Sequence, residues 1–256
     1  MLLAIDSGNT NIVFAVFDGD TLRGEWRAAS DARRTSDEYG IWLAELMKLA
    51  DLRRDEVESA IIATVVPDTL FELKSLCRKY FRTDPLIIGD PKVKLGIEVL
   101  VDTPEEVGAD RLVNAVGAQA HHGGPLIVID FGTATTFDVI DRHGNYCGGA
   151  IAPGINLSLD ALHMAAAKLP RVAVQKPPSV VGRRTVGAMQ SGIYWGYVGL
   201  IEGLTARIKE EVGEDMKVIA TGGLAPLFAD ATRAINRLDP ELTLRGLAEI
   251  YRRNAA

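Results

Sequence analysis

Two short segments of the chain carry the same chemistry 124 positions apart. Asp6-Ser7-Gly8-Asn9-Thr10-Asn11 and Asp130-Phe131-Gly132-Thr133-Ala134 each follow an apolar run, Leu2–Ile5 and Leu126–Ile129. Each places an aspartate at the end of a strand with a glycine two residues on. Glycine among small hydroxyl and amide residues lets backbone N–H groups approach an anion closely. Gly8 through Asn11 would supply such donors, flanked by the side chains of Asn9, Thr10 and Asn11, and Gly132 and Thr133 would do the same in the second segment. Asp6 is placed to hold Mg²⁺, directly or through water, because hard cations take oxygen ligands. These are the parts phosphoryl transfer needs, since its loose transition state leaves the protein mostly positioning and charge neutralisation. A third element, Thr221-Gly222-Gly223, follows the strand Lys217–Ala220 and would let a flat nucleoside lie against bare backbone.

The elements that must position these residues repeat as well. Each loop re-enters an apolar strand, Ile12–Phe17 or Thr136–Ile140. Each of those strands ends in a turn, Asp18-Gly19-Asp20 or Asp141-Arg142-His143-Gly144, with a third strand after it. A repeat this long does not describe a solenoid. It implies two similar α/β domains with mixed sheets facing a central cleft. Residues 1–122 form the first and 123–256 the second, with a C-terminal helix over Leu242–Arg252 packing back on the first. Helical periodicity covers Ser36–Leu49, Thr69–Phe81, Ile155–Ala167 and Thr185–Val212, and a further helix follows Gly223. Ser59–Val66 reads as a buried strand stopped by Pro67, and Pro85–Ile88 as another. The segment from Asp102 to about Ala120 reads as a helix opened by a capping box, with Thr103 at the N-cap, Pro104 at the first helical position and Glu106 at the third.

Composition narrows the partners. The net charge is −6, and the basic pairs Arg33-Arg34, Arg53-Arg54, Arg183-Arg184 and Arg252-Arg253 are scattered, a poor footprint for a nucleic-acid backbone. Cys77 and Cys147 have no CxxC neighbour and read as two core thiols in a reducing cytosol. No run approaches the ~20 apolar residues of a membrane span, and a chain that starts directly on a strand shows no basic leader segment. A cytoplasmic protein without a membrane or nucleic-acid partner is expected. His121-His122 ends a helix, where imidazole can meet terminal carbonyls. Trp42, His163 and Trp195 lie in helical runs and read as core, surface or interface residues.

No Walker-type Gly-x-x-x-x-Gly-Lys-(Ser/Thr) and no protein-kinase signature appears. Two Asp-x-Gly loops with a Gly-Gly loop instead resemble the sugar-kinase/actin/Hsp70 superfamily, whose ribonuclease-H-like domains bind ATP. Within it the chain is similar to type III pantothenate kinases. The resemblance is carried by Asp6 through Asn11, Val107-Gly108-Ala109-Asp110-Arg111, Asp130 through Thr136, Gly148 through Gly154, Ala166-Ala167-Lys168-Leu169-Pro170 and Thr185 through Gly192. It implies an enzyme that moves the ATP γ-phosphate to the hydroxyl of pantothenate, the first step of coenzyme A synthesis.

By that resemblance Asp6, Ser7, Gly8, Asn9, Thr10, Asn11, Ile12 and Val13 contact ATP phosphates and metal, and Gly132, Thr133, Gly222 and Gly223 also bind ATP. Gly108, Ala109, Asp110 and Arg111 line the pantothenate pocket with Val101 and Thr185. Asp110 is the catalytic base, and Asp130 binds a monovalent cation, K⁺ or NH₄⁺. A homodimer is implied, with the pantothenate site near the subunit interface. The physics suits these roles: a carboxylate can accept a hydroxyl proton, and Arg111 could grip a carboxylate or carbonyl with its planar fork. A cation at Asp130 would add positive charge where water is excluded. The family's usual aromatic at position 101 is valine here, so a tyrosyl contact to substrate is absent or supplied from elsewhere. Two alternatives use the same scaffold, another small-molecule kinase or related phosphatase of the superfamily, and a catalytically altered accessory or regulatory protein.

Overall fold

In a computed structural model that describes residues 1–166 and 169–255, the chain separates into two compact units. One comprises Met1–Glu98, Asp102–His121 and Leu242–Ala256, the other Val99–Val101 and His122–Glu241. The first half of the chain carries β1 (Leu2–Ser7), β2 (Asn11–Asp18), β3 (Thr21–Ala29), α1 (Ser36–Leu49), β4 (Ser59–Thr64), α2 (Pro67–Phe81), β5 (Leu86–Ile87) and α3 (Ala109–His122). The second carries β6 (Leu126–Phe131), β7 (Ala134–Ile140), β8 (Tyr146–Pro153), α4 (Ile155–Ala165), α5 (Thr185–Val212), β9 (Lys217–Thr221), α6 (Ala225–Ala229), β10 (Arg237–Leu238) and α7 (Leu242–Ala255).

In the first unit the strand order is β3-β2-β1-β4-β5, with β1 antiparallel to β2 and parallel to β4. The central strand is apolar from Leu2 to Ile5 because both its faces are covered there, whereas β3, at the edge, sends Arg23, Glu25 and Arg27 to solvent. On one face Leu3, Ile5 and Phe14 pack under α1 and α2 through Leu43, Met47, Leu73 and Leu76. On the other, Ala4, Ala15 and Ile61 meet Val113 and Val116 of α3 and Leu247 and Ile250 of α7. The backbones of α3 and α7 touch. A Cβ on Gly117 would lie 2.7 Å from the Leu242 carbonyl oxygen, and one on Gly246 would lie 2.3 Å from that of Val113.

The second unit repeats the plan. Its order β8-β7-β6-β9-β10 matches the first strand for strand, again with an antiparallel pair (β6 and β7) beside a parallel one (β6 and β9). Ile127, Ile129, Phe131 and Phe137 pack against Tyr194, Val198 and Ile201 of α5 and Phe228 of α6. Among the described residues, no helix is long and apolar enough to cross a membrane.

The structure departs from the sequence expectation at α3 and at Cys147. The helix expected from Asp102 does not start there. Pro104–Glu106 form a single 3-10 turn, Thr103 makes no side-chain capping bond, Val107 is extended at φ −74° and ψ 123°, and α3 begins at Ala109. One i→i+3 turn followed by an extended β-branched residue cannot propagate a helix. Cys77 is a buried core thiol, but Cys147 is exposed on the edge strand β8. The expected end of α4 at Ala167 and the Ala167-Lys168 part of the fifth motif lie outside the described residues.

Candidate functional site

In the first unit the pleat of β1 divides three consecutive residues. Ile5 and Ser7 face the core under α1 and α2, and Asp6 projects from the opposite face, half-buried. The last paired residues of the β1–β2 hairpin are Ser7 and Ile12, which leaves Gly8–Asn11 as a four-residue loop. It is closed by Gly8 N–H donating to the Asn11 carbonyl at 3.0 Å and tied to the start of the next connection by Ser30 N–H donating to the Thr10 carbonyl at 3.0 Å. Asn9, Thr10 and Asn11 are exposed. Ser7 is fully buried, its hydroxyl 2.9 Å from that of Thr69 on α2. Ile12 is fully buried in the core and paired on both sides, to Ser7 and Ala28, while Val13 is half-buried.

The break before α3 sets the geometry of the next group. Because the helix starts at Ala109, Asp110 stands in its first turn, where the helix dipole favours a negative charge. Asp110 Oδ1 accepts from the Arg111 N–H at 2.8 Å. Gly108 leaves room for the carboxylate in this position: a Cβ there would press on Asp110 Oδ1 at 2.6 Å, with Val65 Cγ1 next at 3.6 Å. Burial raises the Asp110 carboxyl above the ordinary carboxylate range, while the Arg111 N–H and guanidinium pull the other way. The result is a carboxylate oriented by the Arg111 N–H and made more basic, which suits proton acceptance. Arg111 is half-buried in the same turn.

In the second unit the corresponding hairpin is one residue tighter. Phe131 pairs with Thr135, so only Gly132, Thr133 and Ala134 turn, closed by Gly132 N–H donating to the Ala134 carbonyl at 3.0 Å. Gly132 and Thr133 are exposed. Gly154 lies directly behind this loop, where a Cβ would meet the Thr133 carbonyl oxygen at 2.1 Å. Tyr197 of α5 holds the neighbouring backbone, donating to the Pro153 carbonyl at 2.7 Å with Ser158 Oγ also 2.7 Å from its hydroxyl. Asp130 is half-buried at the end of β6, paired across the sheet with Thr136 and Thr221. Gly222 follows Thr221 at φ +89°, and Gly223 is exposed.

The remaining two candidates, Val101 and Thr185, belong to the second unit. Val101 belongs to the second unit, next to Gly148 of β8, while Gly108 through Arg111 belong to the first. Thr185 opens α5 in the second unit with its side chain exposed. His122, read as a helix-end residue, has a buried side chain with Nε2 2.7 Å from Asp239 Oδ2. The hydroxyls of half-buried Thr64 and buried Thr69 behind the first loop had no sequence signature beyond their place at the end of a strand and in the first turn of a helix.

The donor sets fit hard cations. Asp6 and Asp130 are half-buried carboxylates at strand ends beside glycine loops. Among the described residues no three His, Cys, Asp or Glu side chains converge on one point. An ion at either aspartate would therefore draw most of its oxygen ligands from phosphate, water or backbone, as Mg²⁺ commonly does.

A five-stranded mixed sheet in this order, duplicated, with an Asp-x-Gly loop at the end of each first strand, defines the actin-like, sugar-kinase class of fold. A solved Baf family transcriptional activator from Campylobacter jejuni superposes with a TM-score of 0.62 at 18% identity, covering 99% of this chain and 98% of that one. The activator of the 2-hydroxyisocaproyl-CoA dehydratase from Clostridium difficile, with bound ADPNP, does so with a TM-score of 0.55 at 12% identity, covering 98% and 93%. The chain belongs to the type III pantothenate kinase family, whose model matches residues 2–207. A type III pantothenate kinase from Paramagnetospirillum magneticum (strain ATCC 700264 / AMB-1) is 70% identical over 255 residues, covering 100% of this chain and 98% of the relative.

Proposed function

We propose that this protein transfers the γ-phosphate of ATP to the hydroxyl of pantothenate, giving ADP and 4′-phosphopantothenate at the entry to coenzyme A synthesis. The observation that carries the reading is the Gly108–Asp110 turn. It carries a carboxylate of raised basicity, oriented by the Arg111 N–H, at a helix N-terminus in a chain of this kinase family. Each unit is one ATPase-type domain, divided near residue 122, with α7 returning to the first.

Asp110 accepts the hydroxyl proton as that oxygen bonds to the γ-phosphorus and the bond to the ADP oxygen breaks. A loose transition state asks for modest basicity and accurate placement. Gly108, Ala109 and Arg111 orient the acceptor with Val101 and Thr185, and the Arg111 fork grips its carboxylate or a carbonyl. The exposed backbone and side chains of Gly8 through Asn11, with Gly132 and Thr133, take ATP phosphates, and Gly222-Gly223 presents bare backbone to the nucleoside. Ser7, Ile12 and Val13 serve through the placement of their backbone, since the Ser7 and Ile12 side chains are buried. Asp6 would hold Mg²⁺ through water and Asp130 a monovalent cation, K⁺ or NH₄⁺, both supplying positive charge to the phosphates. The working form is a cytoplasmic homodimer.

The purified protein with ATP, Mg²⁺, K⁺ and pantothenate should form phosphopantothenate, with turnover falling when K⁺ is replaced by Na⁺. Hexoses and polyphosphate should be inert, and phosphorylation of a hexose but not of pantothenate would overturn the substrate assignment.

A further inference from the structure

Behind the first loop lies a cluster of hydroxyls that no catalytic role uses. Ser7, at the end of β1, is 0% exposed and Thr69, in the first turn of α2, is 2% exposed. Their oxygens are 2.9 Å apart. Thr69 Oγ1 donates to the Val66 carbonyl at 2.8 Å, so in the Ser7–Thr69 contact Ser7 is the donor. Thr64, the last residue of β4, has Oγ1 3.4 Å from Thr69 Oγ1 and accepts from the Val66 N–H at 3.0 Å. The Val65 N–H completes the tie by donating to the Ser7 carbonyl at 3.1 Å.

The network therefore fastens two things at once. One end is Ser7, the residue between Asp6 and the Gly8–Asn11 loop. The other is the Val65-Val66 corner, and Val65 Cγ1 is the next atom that a Cβ on Gly108 would meet after Asp110 itself. A core of apolar residues could fill this space as well, and buried hydroxyls there bring a desolvation cost that only complete pairing offsets. What hydroxyls provide and methyl groups do not is a fixed distance and direction between β1, the corner and α2.

We infer that Thr69 is a positioning residue, whose hydroxyl sets the first phosphate loop relative to the Gly108–Asp110 turn by anchoring Ser7 and Val66 together. This rests on the proposed function. A displacement near 1 Å in a site of this kind lowers turnover by about 10²-fold.

The test compares Thr69→Val, which keeps the shape and removes the hydroxyl, with Thr69→Ser, which restores it. Readouts are kcat for phosphopantothenate formation, the Mg-ATP dissociation constant by calorimetry, and the melting temperature. Thr69→Val should lose at least tenfold in kcat and bind ATP at least fivefold more weakly, and Thr69→Ser should recover both to within about threefold of the parent. Ser7→Ala, which removes only the donor, should move the same quantities in the same direction and stands in if Thr69→Val does not fold. Parent-like kcat and ATP affinity in Thr69→Val or, failing that, in Ser7→Ala would overturn the inference, as would a Thr69→Ser protein as impaired as Thr69→Val. If the parent protein itself fails to phosphorylate pantothenate, the functional reading falls and ATP affinity alone decides the role of Thr69.

Discussion

Gly222 lies so close to Asp130 that a Cβ added to it would stand 2.6 Å from Asp130 Oδ1 and 2.7 Å from the Phe131 backbone nitrogen and oxygen. Its φ of +89° is also one that side chains rarely adopt. Gly222→Ala should therefore cost about 1–3 kcal/mol of stability from strain alone and displace the Asp130 carboxylate as well. Gly213→Ala is the control, because Gly213 has φ +72° with nothing within 4 Å of its Cβ position. Denaturant titration should show the Gly222 variant less stable than the control, and activity assays should show at least a tenfold fall only at position 222. Equal losses would detach Gly222 from the site.

Asp110→Asn retains an oxygen that can accept from the Arg111 N–H but cannot take a proton from substrate. Turnover should fall by about 10²–10⁴-fold, with ATP affinity within twofold of the parent. Near-parental turnover would remove Asp110 as the base.

The raised Asp110 carboxyl fixes the direction of two pH effects. Activity needs the ionised form, so kcat/KM should drop on the acid side, at a pH above the ordinary aspartate value of about 3.9. Stability runs the other way. A carboxyl whose folded value is raised binds its proton more tightly when folded, so its unfavourable contribution is absent below the unfolded value and grows as pH rises through the folded one. Asp110→Asn should accordingly be more stable than the parent at pH 7 and lose that advantage near pH 3. Chemical denaturation at the two pH values measures this, and an unchanged difference would contradict the burial argument.

Tyr197→Phe removes the hydroxyl that links Pro153 and Ser158. It leaves the Pro153 carbonyl without this donor, at a cost of about 1–3 kcal/mol. Because Gly154 packs on the Thr133 carbonyl, ATP affinity should weaken in step, by a few fold. A calorimetric titration with Mg-ATP on Tyr197→Phe checks it.

The duplicated architecture was legible because each half repeats an apolar strand, an acidic end and a hairpin, a pattern that a single copy does not impose. The difference between the two loops was not. Whether four residues turn, as at Gly8–Asn11, or three, as at Gly132–Ala134, depends on ladder register, which the motif does not encode. Two capping-box patterns illustrate the same limit. Thr35 and Glu38 form one in full, because Tyr39, Leu43 and Met47 behind them bury a continuous helical stripe. Thr103 and Glu106 have the same spacing, but Val107 behind them is extended and ends the turn, so the helix starts afresh at Ala109. That interruption puts Asp110 at a helix start rather than inside one. The inward turn of Ser7 follows from strand alternation, since Ile5 two residues earlier points to the same core. What alternation could not supply was its partner, 62 positions away.

The contact of α3 with α7 at Gly117 and Gly246 has a consequence for biosynthesis. Residues 242–255 emerge from the ribosome only after the whole of the second unit has been translated, yet they close one face of the sheet built from residues 2–87. A nascent chain that ends between Ile61 and Leu242 leaves Ala4, Ala15 and Ile61 without that covering helix, and exposed apolar surface of this kind makes incomplete chains prone to aggregate.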